Sequence, residues 1–132
     1  MKVSKVYFTK IEKEKLFEAW ISSDMVIEPV SRIESDPVVG GQYKLYAESP
    51  TGTSVMSGEF KVIDKYERLE YTWHWEGTGE ITVVNIAFKQ VLDQTIVKLE
   101  HEGFATIESR DIHDAGWDNY FEGLERKLLN SI

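Results

Sequence analysis

The sequence predicts an α+β domain in which a long C-terminal amphipathic helix packs onto a curved antiparallel sheet. Two observations carry this expectation. Between residues 30 and 103, β-like runs keep alternating with short turn signals. From about residue 106 to 130, apolar side chains recur at helical spacing with charges on the opposite side. The 132 residues suit one domain, 1–132, and 42% hydrophobic with 12% aromatic residues can enclose one core.

Residues 1–9 alternate as a half-buried strand would, with Val6 and Phe8 expected on one side of the ribbon. In KIEKEKLFEAW, Leu16, Phe17 and Trp20 recur at helical spacing while Glu12, Lys13, Glu14 and Lys15 stay outside. Ser22, Ser23 and Asp24 interrupt that helix. A short second turn is expected before Pro29, which disfavours helix at Glu28.

The β-like runs are QYKLYAE after Gly40-Gly41, then VMSGEFKVIDKY, LEYTWHW, EITVVNIAFKQVL and TIVKLEHEGF. A plausible hairpin turn, SPTG, separates the first two. Glu67-Arg68, Gly77-Thr78-Gly79 and Asp93-Gln94 separate the rest. Links this short suit antiparallel neighbours, because a parallel pair needs a crossover of about a dozen residues. Alternation groups Tyr71, Trp73 and Trp75 on one face, as it does Val84, Ile86 and Phe88, and Val97, Leu99 and His101.

Gly116, Trp117, Tyr120, Phe121, Gly123, Leu124 and Leu128 share one face of the last segment. Thr106 is placed to cap its start, and Glu108 and Asp111 complement the positive end of the helix dipole. Some 24 residues at about 1.5 Å each give roughly 36 Å, the length of the longest strands. Each helix glycine costs about 1 kcal/mol relative to Ala, so Gly116 and Gly123 invite a reason. Either the sheet approaches the backbone there, or the missing side chains leave a hollow. His113 lies on the same face with Trp117, Tyr120 and Lys127. It reads either as a core histidine with one buried partner or as a polar point in an apolar pocket. The aromatic stripe on the sheet has the same two readings, plain core or pocket lining.

Fifteen basic against 23 acidic residues leave a net charge of -8. That surface repels phosphate backbones, so nucleic acid and anionic membranes are not expected partners. The absence of cysteine removes thiol nucleophiles, disulfides and thiolate metal sites, and fits a reducing compartment. No apolar run approaches the roughly 20 residues of a membrane helix, and MKVSKVYFT lacks the apolar core of a secretory signal. A cytoplasmic location is the expectation.

The ordered set FEAW, DPVVGGQY, SGEFKVID, LEYTW, VNIAF, TIVKLEHEGF and HDAGW covers nearly the whole chain. It resembles the activator of Hsp90 ATPase homologue (AHSA1-like) branch of the START/Bet v 1-like (SRPBCC) superfamily. The resemblance implies a helix-grip fold, with a bent antiparallel sheet around the last helix and two short helices after the first strand. It also implies an apolar cavity between helix and sheet. Gly40, Gly41 and Tyr43 match the family's strand-opening glycine pair and aromatic, and Gly58 and Phe60 match the next strand. Gly103-Phe104 match the approach to the last helix, and His113, Gly116 and Trp117 match its H-x-x-G-W signature. Members commonly carry a further tryptophan where MVIEPV stands here. Hsp90-activating proteins also carry a separate N-terminal domain for which 132 residues leave no room, so an Hsp90-type chaperone is not the expected partner.

The three histidines show no metal-ligand spacing, no serine nucleophile motif is recognisable, and no cofactor is implied. The expected function is binding of a small hydrophobic or aromatic ligand. Its site is Tyr43, Phe60, Trp73, Trp75, Gly116, Trp117, Tyr120 and Leu124, with His101 and His113 as polar anchors and no catalytic residue assigned. Two alternatives stand beside it: a cyclase- or hydrolase-type enzyme using the two cavity histidines, and an Hsp90-linked interaction module. A homodimer is left open.

Overall fold

In the computed structural model, which describes residues 1–130, the short links between residues 30 and 102 fold each strand there back on its predecessor. The elements are β1 (Lys2–Thr9), α1 (Lys13–Ile21), β2 (Val30–Ser35), β3 (Gln42–Ser49), β4 (Gly52–Asp64), β5 (Arg68–Trp75), β6 (Ile81–Val91), β7 (Gln94–Glu102) and α2 (Ile107–Asn130). The strands form one antiparallel sheet in the order β1-β7-β6-β5-β4-β3-β2. A register shift between Phe60 and Val62 of β4 is a bulge, which bends a strand. Gly58 allows close approach there: a Cβ would stand 1.9 Å from the Thr72 carbonyl oxygen, to which the Tyr43 hydroxyl donates.

One half of the sheet is packed solid. Val84, Ile86 and Phe88 of β6, with Val97, Leu99 and His101 of β7, all face inward and are buried, as their alternation predicts. Leu16, Phe17 and Trp20 of α1 cover them together with Trp117, Phe121, Leu124 and Leu128 of α2. The rings of Phe17 and Trp20 meet Phe88 edge-on at 5.4 and 5.7 Å. Full burial of each such side chain contributes about 1.5–3 kcal/mol.

The start of α2 is anchored as its sequence predicts and also from a distance. Thr106 Oγ1 accepts the Ser109 N–H at 3.1 Å. The Glu80 carboxylate accepts from the Ala105 N–H and the Ser109 hydroxyl, both at 2.8 Å. Those bonds, the backbone one foremost, hold its pKa below the usual carboxylate value. Lys127, expected on the inner face, is exposed.

Two further expectations need correction. Val6 and Phe8 point outward, 53% and 59% exposed, while Val3, Lys5, Tyr7 and Thr9 face inward. Pairing of Val3 with His101 sets the strand's parity, and a one-residue change of register would exchange the two faces. The inner face of β1 meets the charged flank of α2. Tyr7 stacks on Phe121 at 4.2 Å and donates to Asp118, and Lys5 pairs with Asp114 and Asp118. Residues 22–29 form turns instead of a second short helix, leaving α1 alone between β1 and β2. Their polar groups go elsewhere: Ser22 Oγ accepts the Asp24 N–H, and the Glu28 carbonyl accepts from Asn119 of α2.

Candidate functional site

Beyond the packed half, β2–β5 and α2 enclose a cavity of about 390 Å³. The 22–30 segment closes one end of it. The two helix glycines explain its position. At Gly123 a Cβ would stand 2.5 Å from Ile27 Cγ2, so the missing side chain is the notch that seats the 22–29 segment. At Gly116 a Cβ would meet nothing within 4 Å, and the bare backbone borders the cavity. The hollow expected from the sequence is found at Gly116, whereas close packing at Gly123 comes from the 22–29 segment and not from the sheet.

The sheet side of the wall is aromatic. Tyr43 contacts Phe60 and Tyr71 at 5.5 Å each and Trp73 at 6.4 Å between ring centroids. On the helix side, Tyr120 meets Trp20 edge-on at 5.1 Å and Trp117 at 5.8 Å. Ile33 and Leu45 on β2 and β3, with Met56 on β4, complete the apolar lining.

Two histidines meet at this wall, His113 in it and His101 behind it, their ring centroids 5.3 Å apart and nearly perpendicular. His101 Nδ1 accepts from Trp117 Nε1 at 3.0 Å. Its Nε2 lies 2.6 Å from Thr82 Oγ1. The Thr82 hydroxyl donates onward to the Trp73 carbonyl, so its oxygen accepts the proton that His101 carries on Nε2. His113 Nε2 accepts from Trp73 Nε1 at 3.0 Å, and its Nδ1–H donates to the Ser109 carbonyl at 2.7 Å. Each ring is thus neutral in one tautomer, with both nitrogens engaged. Burial first, and then the neighbouring His113, lowers the pKa of His101 to about 3. The pair holds Trp73 and Trp117 in place, and neither ring has a nitrogen left for a substrate proton.

Eight of the ten residues expected at the site border the cavity: Tyr43, Phe60, Trp73, Trp75, His113, Gly116, Trp117 and Tyr120. His101 and Leu124 do not. His101 is fully buried behind Trp117, and Leu124 is fully buried in the packed half. His74 alternates away from the cavity, as expected. Trp20 and Tyr71 are wall residues absent from the expected set. Tyr71 was marked by its alternation with Trp73 and Trp75, whereas Trp20 reads from sequence as ordinary helix core. Among the described residues no group of three or more His, Cys, Asp or Glu could hold a metal ion, and no helix is long and apolar enough to cross a membrane.

A family model, activator of Hsp90 ATPase homolog 1-like protein, matches residues 10–128. The chain belongs to that family. No curated protein matches it significantly. Among solved structures, protein MLL2253 from Mesorhizobium loti is similar with a TM-score of 0.86 and 21% identity, covering 100% of this chain and 99% of that one. PFC0360w, an HSP90 activator from Plasmodium falciparum, is similar with a TM-score of 0.78 and 23% identity, covering 97% and 96%. Ara h 8.0201 is similar with a TM-score of 0.84 and 14% identity, covering 98% of each chain. At these identities the likeness establishes the fold: this AHSA1-like chain has the helix-grip, Bet v 1-like architecture.

Proposed function

We propose that this AHSA1-like protein holds a small hydrophobic or aromatic molecule in the cavity between α2 and β2–β5. The observation that carries the proposal is the apolar hollow of about 390 Å³ beneath Gly116, within the range of small-molecule sites. Its aromatic walls supply contact area, and the engaged histidines hold Trp73 and Trp117 as fixed parts of the wall. The acidic surface and the cysteine-free composition favour a cytoplasmic carrier or sensor that avoids nucleic acid and anionic membranes.

Native mass spectrometry of gently purified protein and tryptophan quenching against a panel of lipids and aromatics test the reading. Saturable quenching by one molecule per chain is expected, and Gly116→Leu, whose side chain grows into the hollow, abolishes it. Absence of both a bound species and saturable quenching would sink the proposal.

The cyclase- or hydrolase-type alternative has its two rings within reach of each other, but their nitrogens are already engaged. An Hsp90-linked role draws support from family membership and from the HSP90 activator among the similar structures. It predicts co-purification with an Hsp90-type ATPase and a rise in its turnover; a pull-down and ATPase assay showing neither would retire it.

A further inference from the structure

The polar groups of the cavity wall divide into those already engaged and those with hydrogen-bonding capacity left over. Trp20, Trp73 and Trp117 give their indole N–H groups to Tyr71, His113 and His101, and the Tyr43 hydroxyl donates to the Thr72 carbonyl. Among the described residues the wall donors without an acceptor are the hydroxyls of Ser22, Ser35, Ser54, Tyr71 and Tyr120 and the Trp75 indole N–H, and Ser35 Oγ is buried with no partner of either kind. The Tyr71 oxygen accepts from Trp20 at 3.2 Å, but its own O–H donates to nothing. The Tyr120 hydroxyl and the Trp75 indole N–H make no hydrogen bond. Trp20 joins the two tyrosines, bonded to the hydroxyl of one and packed edge-on against the ring of the other at 5.1 Å.

No Lys or Arg borders the cavity, and Glu28 and Glu48, both exposed, stand on its rim. An anionic ligand would therefore lose its hydration without gaining a cation, a heavy cost in an apolar enclosure. Burial raises the pKa of both Tyr71 and Tyr120, as an apolar enclosure that disfavours charge would. A purely apolar ligand would leave these donors without partners. A ligand with a neutral acceptor oxygen, which has two lone pairs, would satisfy the Tyr71 and Tyr120 hydroxyls that flank Trp20.

Building on the ligand-binding reading, we infer that the cavity selects uncharged aromatic or polycyclic molecules bearing a carbonyl-type acceptor, held by the Tyr71 and Tyr120 hydroxyls. Fatty acids and other carboxylates are excluded by the same geometry. The site is built for a ketone, quinone or ester oxygen inside an aromatic box.

Three probes on one tricyclic skeleton test this: fluorenone, fluorene and fluorene-9-carboxylate. Dissociation constants come from tryptophan quenching and calorimetry, and the infrared carbonyl stretch of bound fluorenone reports hydrogen bonding directly. Each hydrogen bond to a neutral acceptor is worth about three- to tenfold in affinity. Fluorenone is expected to bind at least that much more tightly than fluorene, with the carboxylate weakest and the carbonyl stretch lowered on binding. Tyr120→Phe is the cleaner variant, because that hydroxyl has no other partner to lose; Tyr71→Phe also strips the acceptor from Trp20. In Tyr120→Phe the preference for fluorenone over fluorene shrinks about three- to tenfold and the carbonyl stretch moves back up. Equal affinity for fluorenone and fluorene, tightest binding of the carboxylate, or an unchanged preference in both variants would overturn the inference while leaving a binding cavity in place. Failure of fluorene and fluorenone alike to bind would overturn the ligand-binding reading with it.

Discussion

The inward side chains of β6 and β7 lie beneath two helices and are sealed from water, whereas those of β2 and β3 face a hollow. Val84, Ile86, Val97 and Leu99 are at most 1% exposed. Ile33 and Leu45, equally apolar and equally inward, are only partly buried. The difference is geometric. Seven strands about 4.8 Å apart span roughly 29 Å, while a helix with its side chains is only about 10–12 Å wide. The body of α2 is drawn to the β1 side, where Lys5 and Tyr7 hold Asp114 and Asp118. The far strands are left without a helix over them, and the 22–29 segment with the aromatic side chains forms a rim instead of a filling. Such a sheet excludes water from one half and leaves the other hollow.

The largest expected effect contrasts the halves directly. Leu124→Ala removes a fully buried side chain and costs about 3 kcal/mol in urea denaturation. Leu45→Ala, facing space that is already open, costs about 1 kcal/mol or less. Equal losses would mean that the hollow half closes up in solution.

A second effect, of about 2 kcal/mol, comes from His101 at the boundary between the halves. Its folded pKa, about 3, lies below the ordinary value near 6.5. The unfolded chain therefore binds the proton first, and the contribution is present in full above about pH 6.5 and lost as pH falls toward 3. The steepest slope for one proton is about 1.4 kcal/mol per pH unit, or about 2 kcal/mol between pH 6.5 and 5. Denaturation of the native chain and of His101→Gln at both values isolates this part as the difference between their slopes. Parallel slopes would show that the His101 site is hydrated.

The smallest effect is a difference of sign between two glycines one heptad apart. Gly116→Ala gains helix propensity without a clash and stabilises by about 0.5–1 kcal/mol. Gly123→Ala gains the same propensity but forces its Cβ into Ile27, a buried branched side chain with little freedom to retreat, for a net loss of about 1 kcal/mol. Thermal melts of both variants check the signs. Stabilisation by both would mean that Ile27 is not seated against α2.

Much of the site was legible in the residues. Alternation placed Trp73 and Trp75 together, and helical spacing placed His113, Gly116, Trp117 and Tyr120 on one face; all six border the cavity. His101 and Leu124 belong to the same periodic stripes yet lie outside it, because periodicity names a face and not the depth along it. Trp20 was unreadable as wall for the same reason, since its spacing with Leu16 and Phe17 says only that it turns inward. On β1 the apolar residues misled, because pairing with β7 set which side faced the core.

By itself the sequence determined the strands, the short turns that make them antiparallel, the two amphipathic helices, and the acidic cysteine-free surface. Each of these follows from neighbours within a few residues, where side-chain period and turn chemistry act. Tertiary structure alone decided which glycine is a notch and which a window, which nitrogens the histidines keep engaged, and which half of the sheet stays hollow. Those outcomes depend on where α2 comes to rest across the sheet, through contacts such as Ile27 with Gly123 and Lys5 with Asp114 between residues nearly a hundred positions or more apart.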